Sequence, residues 1–539
     1  MSSNARLAML AALSLGVCLV GIELMITAVA LPAIVPDLAD WTQLRRASWI
    51  INSYLLAFIA VMPLAGRAAD RFALPCLFAG SLLVFALGSL LAGAAQSLDW
   101  LIAARVIQGA GAGAVVPLAT AGASHLFGGH SRARAIGVVS GLTFLGMALG
   151  PFIGALVLQR FDVGGALAAA GQSTGPAIAL LGAAWRWIFY LGAPLALVAA
   201  LVAWAAAPGW QAPRSNERLD VLGAGLFTAA LAAALLALTA VGDDDPGSLA
   251  PLPVAILAVV LGVLTLLRLL FARDPFMDLR HFANPIFSGA VLLSLLTGYG
   301  LATAIIGGAV FVDRVRYAGP AEQQLALGGL AGAVALGALG SGLILRRLGI
   351  VPLTLLGLSL SIGGLLLLTQ ATPFTPLELL VGGLGLFGLG FGLTVTARST
   401  AAVEALGQRA YGLAAAGVTV ARMIGMAIGL AALSVLGSNR IEALSLVLVD
   451  QAARDAALPP HLQGRPLEDY LVVNALEAWV AGQAAEITAA LFLVAAAVTA
   501  LAIVPTLAMR SGRAAEGAPG EAEDVIDGTD EGPAARFTV

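Results

Sequence analysis

Apolar runs of about 20 residues, long enough to cross a bilayer, recur from one end of this chain to the other. That recurrence leaves little besides an all-α membrane protein of many spans. Of the 539 residues, 60% are hydrophobic and 11% are charged, against about 25% charged in an ordinary globular chain. The bilayer is therefore the main solvent, and function has to be sought in the few polar groups inside it.

Stretches of 17 or more apolar residues between charged or Pro/Gly-rich breaks predict fourteen helices. They lie near 8–36, 48–65, 73–96, 100–126, 135–159, 185–207, 219–241, 250–271, 285–312, 322–344, 350–370, 376–397, 411–436 and 484–508. The N-terminal run is read as an uncleaved first span, because it contains Glu23 and continues through Pro32. All 28 basic residues are arginine. With both termini cytoplasmic, seventeen of them fall inside, Arg67, Arg71, Arg346, Arg347 and Arg398 included, against nine outside; this bias fits an even number of spans. Neither Cys18 nor Cys76 suggests a disulfide or metal site. The tail carrying Glu516, Glu521, Glu523, Asp524, Asp527, Asp530 and Glu531 is expected to be disordered.

Two features suggest a duplication. The segment GRAADRFAL after span two aligns with GLILRRLGI after span ten, so that Gly66 matches Gly342 and Arg71 matches Arg347. In span five, Gly146, Gly150 and Gly154 fall four apart, as do Gly417, Ala421, Gly425 and Gly429 in span thirteen. Each set makes a smooth face on which another backbone can approach closely. Internal repeats are common in secondary transporters. The expected organisation is a six-helix bundle at 1–207, a linker with two extra spans at 208–284, a second six-helix bundle at 285–508 and a cytoplasmic tail at 509–539. An outer loop at 437–483 carries helical periodicity and is either a cap or an ordinary solvated segment.

Glu23 is the one acid placed near the centre of a span. A charged side chain at the bilayer centre costs roughly 2.5 to 3.5 kcal/mol or more, so the acid is tolerable only if it holds a proton or faces a cation. Alternation between those states is a way to carry protons. Arg105, in span four, and Arg422, in span thirteen, are the candidate cations; a static ion network that orders the bundle is the competing reading.

The motifs resemble those of the major facilitator superfamily. Gly66, Asp70 and Arg71 match its signature loop, although Ala73, Leu74 and Pro75 depart from the basic end of that pattern. Arg105, Gln108 and Gly109 in RVIQG look like its span-four motif, whose arginine is implicated in proton coupling. Gly146, Gly150, Pro151 and Gly154 resemble the fifth-span antiporter motif found in exporters. With ELMITAVALPAI and WRWIFYLGAP, the chain is similar to the fourteen-span drug:proton antiporter branch. Within that branch, WIINSYLLAFIAVMPLAGRAADRF and VARMIGMAIGLAALS resemble mycobacterial triacylglycerol exporters, with Phe144 standing where those carry an acid.

The resemblance implies a major facilitator fold and a proton-coupled exporter of hydrophobic or amphipathic compounds, with a lipid exporter on the same machinery as the alternative. It further implies a cell-membrane location, protons, membrane lipids and a lipid-like cargo as partners, a monomer, no cofactor and no nucleic acid. An enzyme is not expected: His125, His130, His281 and His461 form no HExxH pattern, and no nucleophile grouping or phosphate loop is present. The remaining alternative, a non-transporting sensor on this scaffold, would be indicated by failure of the folded protein to move any substrate.

Overall fold

The computed structural model describes residues 2–38, 49–161, 163–169, 175–210, 220–240, 251–449, 451–466 and 469–516. The acidic tail beyond Glu516, the GDDDPGS segment at 242–248 between spans seven and eight, and Arg45, Arg46, Arg214 and Arg218 lie outside them. Among the described residues the chain is helical, with no strand, as expected where hydrocarbon leaves each backbone group to be paired within its own segment.

The long helices are α1 (Ser3–Leu38), α2 (Trp49–Arg71), α3 (Leu74–Gly93), α4 (Leu98–Leu126), α5 (Gly129–Arg160), α6 (Ala184–Ala205), α7 (Val221–Ala240), α8 (Pro251–Phe271), α9 (Pro285–Val310), α10 (Pro320–Leu348), α11 (Ile350–Leu368), α12 (Leu377–Leu406), α13 (Tyr411–Val449) and α14 (Tyr470–Leu501). A last helix, α15 (Ile503–Glu516), follows. Among the described residues, thirteen candidate spans are long and apolar enough to cross a membrane. The fourteenth expected span is α7, whose described apolar stretch, Val221–Ala234, is shorter. Ser97 caps α4 by accepting from the Trp100 N–H, so spans three and four are separate helices. Among the described residues of the apolar segment after α5 there are two short helices, Val163–Ala169 and Pro176–Leu181.

Several boundaries differ from expectation. Helix α13 continues to Val449 and α14 begins at Tyr470, so much of the expected outer loop is helix continuous with the spans. At 1.5 Å per residue, the 39 residues of α13 run for about 58 Å, roughly twice the hydrocarbon thickness of about 30 Å. Between them, Gln451–Ala457 is a short helix, and Leu458, Leu462, Val472 and Leu476 form a small buried cluster.

Glycines set the packing, and they set it twice. A Cβ on Gly109 or Gly113 of α4 would strike the carbonyl oxygens of Tyr54 and Phe58 on α2; on Gly388 or Gly392 of α12 it would strike those of Leu330 and Val334 on α10. Likewise Gly146 and Gly150 of α5 lie on the Cys18 and Ile22 carbonyls of α1, while Gly425 and Gly429 of α13 lie on the Leu295 and Tyr299 carbonyls of α9. The same pairings of helices thus recur in the first six and the last six. These two sets meet along two seams, α2 with α13 and α5 with α10.

Helices α7 and α8 pair with each other at the periphery, and α7 touches α2. The pair is fastened to the rest by Arg67, which donates to the carbonyls of Pro275 and Phe276 at 2.8 and 3.1 Å, and internally by an Arg268–Asp220 ion pair at 3.2 Å.

Candidate functional site

The expected motifs occupy two levels of the bundle. At one end, Gly66 of α2 lies so close to α13 that a Cβ would meet Ala416 and the Gly412 carbonyl. That approach brings Asp70 onto the first residues of α13, where its two carboxylate oxygens accept from the N–H groups of Gly412 and Leu413 at 2.8 and 3.0 Å. A helix N-terminus carries unpaired N–H donors and about half a positive charge, so a buried carboxylate is well matched to it. The counterpart seam closes similarly: Gly342 of α10 lies against Ala133 and Arg134 of α5. Arg71 sits beside Phe72, 5.4 Å from its ring centre.

Nearer the middle, Glu23 and Arg105 are 3% and 1% exposed and form an ion pair. Glu23 Oε1 also accepts from Thr27 Oγ1 at 3.2 Å. Arg105 donates further to Gln108 Oε1 at 2.6 Å and to the Ile50 carbonyl at 3.1 Å, and its guanidinium lies 4.1 Å from the Tyr54 ring centre. Gln108 continues to Ser89 at 3.1 Å, and Ser89 to the Phe189 carbonyl at 2.8 Å. One polar chain therefore links α1, α2, α4, α3 and α6. Gly109 takes no part in it and serves the α4–α2 contact; Gly146, Gly150 and Gly154 hold α5 on α1.

Arg422 is not in this network. It lines a separate central chamber with Thr120, Ser140, Thr143, Phe144 and Arg398. The chamber has a volume of about 20 Å³, room for a single water, so the two halves are nearly collapsed on each other. Pro151 and Phe144 contribute to a second, apolar chamber of about 20 Å³ with Met25, Met147, Leu301 and Leu330.

Arg398 corrects the sequence reading, which put it in a cytoplasmic segment. It is 1% exposed, because α12 does not stop at 397 but runs to a left-handed Gly407 with φ of 75°. Such a glycine is the usual helix terminator, and it leaves Arg398 about two turns inside the helix. The absence of Gly or Pro between Arg398 and Gly407 was the available signal. Arg398 donates to Thr297 Oγ1 and lies 5.0 Å from the Phe391 ring centre; Arg422 lies 5.4 Å from that of Phe144. The Nε of each arginine has no hydrogen-bond partner. Cation–π contacts give roughly 0.5 to 2 kcal/mol, less than the several kcal/mol by which burial penalises each ion.

This geometry meets its comparison in a family model described as Major Facilitator Superfamily, which matches residues 13–430. The chain belongs to the Major Facilitator Superfamily. Relatives within it include proteins named triacylglyceride transporters. That of Mycolicibacterium hassiacum is 34% identical over 430 residues, 78% of this chain and 75% of the relative. That of Mycolicibacterium smegmatis is 31% identical over 462 residues, 81% and 78% respectively. Among solved structures of the superfamily fold, a bacterial homologue of the human lysosomal transporter Spinster, inward-facing and unoccupied, aligns with a TM-score of 0.55 at 18% identity, covering 94% of this chain and 99% of its own. A proton:xylose symporter aligns with a TM-score of 0.55 at 14% identity, covering 92% and 95%. This superfamily member is accordingly a multi-pass membrane transporter.

Proposed function

We propose that this chain exports a lipid-like molecule, an acylglycerol or a close relative, by alternating access driven by inward proton movement. The observation that carries the driving step is the buried Glu23–Arg105 pair. An acid with one dedicated cation inside a membrane bundle has two stable states: ionised and paired, or protonated with the arginine turned elsewhere along the Gln108–Ser89 chain. Inward movement of a proton releases roughly 2.3 kcal/mol per 100 mV and about 1.4 kcal/mol per pH unit. What supports a lipid cargo over a general drug is the names carried by the relatives; the apolar chamber beside α1, α5, α9 and α10 is compatible with either.

In this reading the protein works as a monomer in the cell membrane with both termini cytoplasmic, and the halves 1–207 and 285–508 rock about the central chambers. The Asp70 contact is then the cytoplasmic latch. The structure has both seams closed at that end and chambers too small for cargo, so loading requires the seams to part.

The test is transport in proteoliposomes with a fluorescent acylglycerol and an entrapped pH indicator. Wild type is expected to move lipid only under a proton gradient and to acidify the lumen as it does. Glu23→Gln, which keeps shape and removes the titration, is expected to bind lipid and lose gradient-driven movement. Transport by Glu23→Gln at the wild-type rate would make the pair structural.

A further inference from the structure

The central arginines have no role in the scheme above, and their surroundings say what would complete them. Arg398 and Arg422 come from adjacent helices of the second half and line one chamber, yet none of the residues lining it is acidic. Glu23, the buried acid of α1, does not line the chamber and is already held by Arg105 and Thr27. Each guanidinium keeps a buried Nε without a partner. Facing them from the first half are Ser140 and also Thr120 and Thr143, whose hydroxyls donate to the Val116 and Val139 carbonyls of their own helices at 3.2 and 2.9 Å. Two guanidinium forks lining one space, with the Ser140 hydroxyl opposite, are a donor set suited to carboxylate or phosphate. Phe144 forms the wall shared with the apolar chamber, so an acyl chain attached to that anion has an adjoining place to lie.

We infer that this central chamber binds the oxyanion head group, carboxylate or phosphate, of an acyl-chain amphiphile. For its meaning as cargo the inference rests on the lipid-export reading and narrows it to an acidic relative of the acylglycerols, since a neutral acylglycerol has no oxyanion to offer; binding itself does not rest on that reading. When the halves part, the head group neutralises two buried cations that otherwise face each other unpaired, and the tail enters the space lined by Met25, Met147 and Leu330. Occupancy would therefore be favoured by both charge and apolar contact.

The experiment measures equilibrium binding of three probes of equal chain length to the purified full-length protein in nanodiscs: oleate, oleoyl lysophosphatidate and neutral monooleoylglycerol. At least one anion is expected to bind tenfold or more tightly than monooleoylglycerol, and the preferred anion identifies the head group. Arg398→Gln and Arg422→Gln are each expected to weaken anion binding tenfold or more and change monooleoylglycerol binding less than twofold, with Lys at either position restoring part of the loss. Phe144→Glu sets a carboxylate near Arg422 and is expected to abolish anion binding from within; it decides the matter if the Gln variants do not remain monodisperse. Equal affinity for the three probes, or anion binding unchanged in these variants, overturns the inference. Anion binding that follows the arginines in a protein that transports no lipid would instead sink the export reading and leave the site standing.

Discussion

Asp70→Asn should loosen the α2–α13 seam by an amount that the geometry sets. The carboxylate of Asp70 is buried, and each of its oxygens accepts from a separate N–H in the first turn of α13, Gly412 and Leu413. Asparagine offers one oxygen, so one of these bonds is lost. The negative charge on the positive end of the helix goes with it. Loss of an N-terminal cap costs about 0.5 to 2 kcal/mol, and a charge at a partly buried helix end is worth about 0.3 to 2 kcal/mol. Together they predict a loss of about 0.8 to 4 kcal/mol from the closed seam. At about 1.4 kcal/mol per decade, the closed-to-open ratio should fall by roughly 4- to 700-fold. The assay is single-molecule energy transfer between the native, exposed Cys76 and a second label at Gln408→Cys, with Cys18 replaced by Ala. Gly66→Ala provides a second route to the same result, because its added Cβ meets Ala416 and the Gly412 carbonyl. A distance distribution for Asp70→Asn that superimposes on wild type would refute the latch.

The duplicated helix contacts make a paired prediction. Gly146→Ala and Gly425→Ala each drive a methyl into a backbone carbonyl of the facing helix, an overpacking that costs about 1 to 3 kcal/mol. Both should lower the melting temperature in detergent, while Gly332→Ala, which meets open space, should not; equal melting of all three would show that the helix pairs can slide apart without loss. Outside the membrane, Asp469 caps α14 by accepting from the Leu471 N–H at 3.0 Å and pairs with Arg465 at 3.0 Å. That N–H first, and the arginine second, hold its carboxyl below the ordinary value of 3.8. A depressed value means that the cap is fully present above the ordinary value and is lost as pH falls through the depressed one. Hydrogen-exchange protection at Leu471–Val473 should therefore persist at neutral pH, fall in acid, and be absent at all pH values in Asp469→Ala.

Much of this was legible because membrane helices announce themselves by length and apolarity. Gly66, Gly146 and Gly425 were visible as spacing, and the structure shows what the spacing is for: each sits on the carbonyl ladder of a facing helix. The juxtaposition of Glu23 with Arg105 was readable only as a shortage of alternatives, since two ions inside one bilayer must find each other or pay separately for burial. Arg398 escaped for the converse reason. Hydropathy ends a span at the first charge, but the helix goes on until its backbone can turn, and that happens at Gly407. The extension of α13 past 436 was signalled by the helical periodicity of that segment, but periodicity does not say whether such a helix is separate or continuous with the span before it.

The backbone contacts are duplicated and the charges are not. Gly66 answers to Gly342 and Gly113 to Gly392, but among the described residues the second half has no acid buried as Glu23 is, and the first half has no arginine pair like Arg398 and Arg422. A scaffold with two equivalent halves can rock because its two seams are alike and the closed states at either end differ little in packing. What biases the rocking must then come from groups that break the symmetry. Glu23–Arg105 confines its charge within the first half and can change that charge by one proton; Arg398 and Arg422 belong to the second half and lack a counter-charge of their own. On the proposed reading, a proton arriving at Glu23 would free Arg105 within the first half while Arg398 and Arg422 of the second await an anion, so proton and cargo would act on opposite halves of one hinge. On this arrangement, an Arg105→Gln variant should leave anion binding at the central chamber intact while removing its dependence on pH, and a variant that lost both together would show that the two charge systems are one.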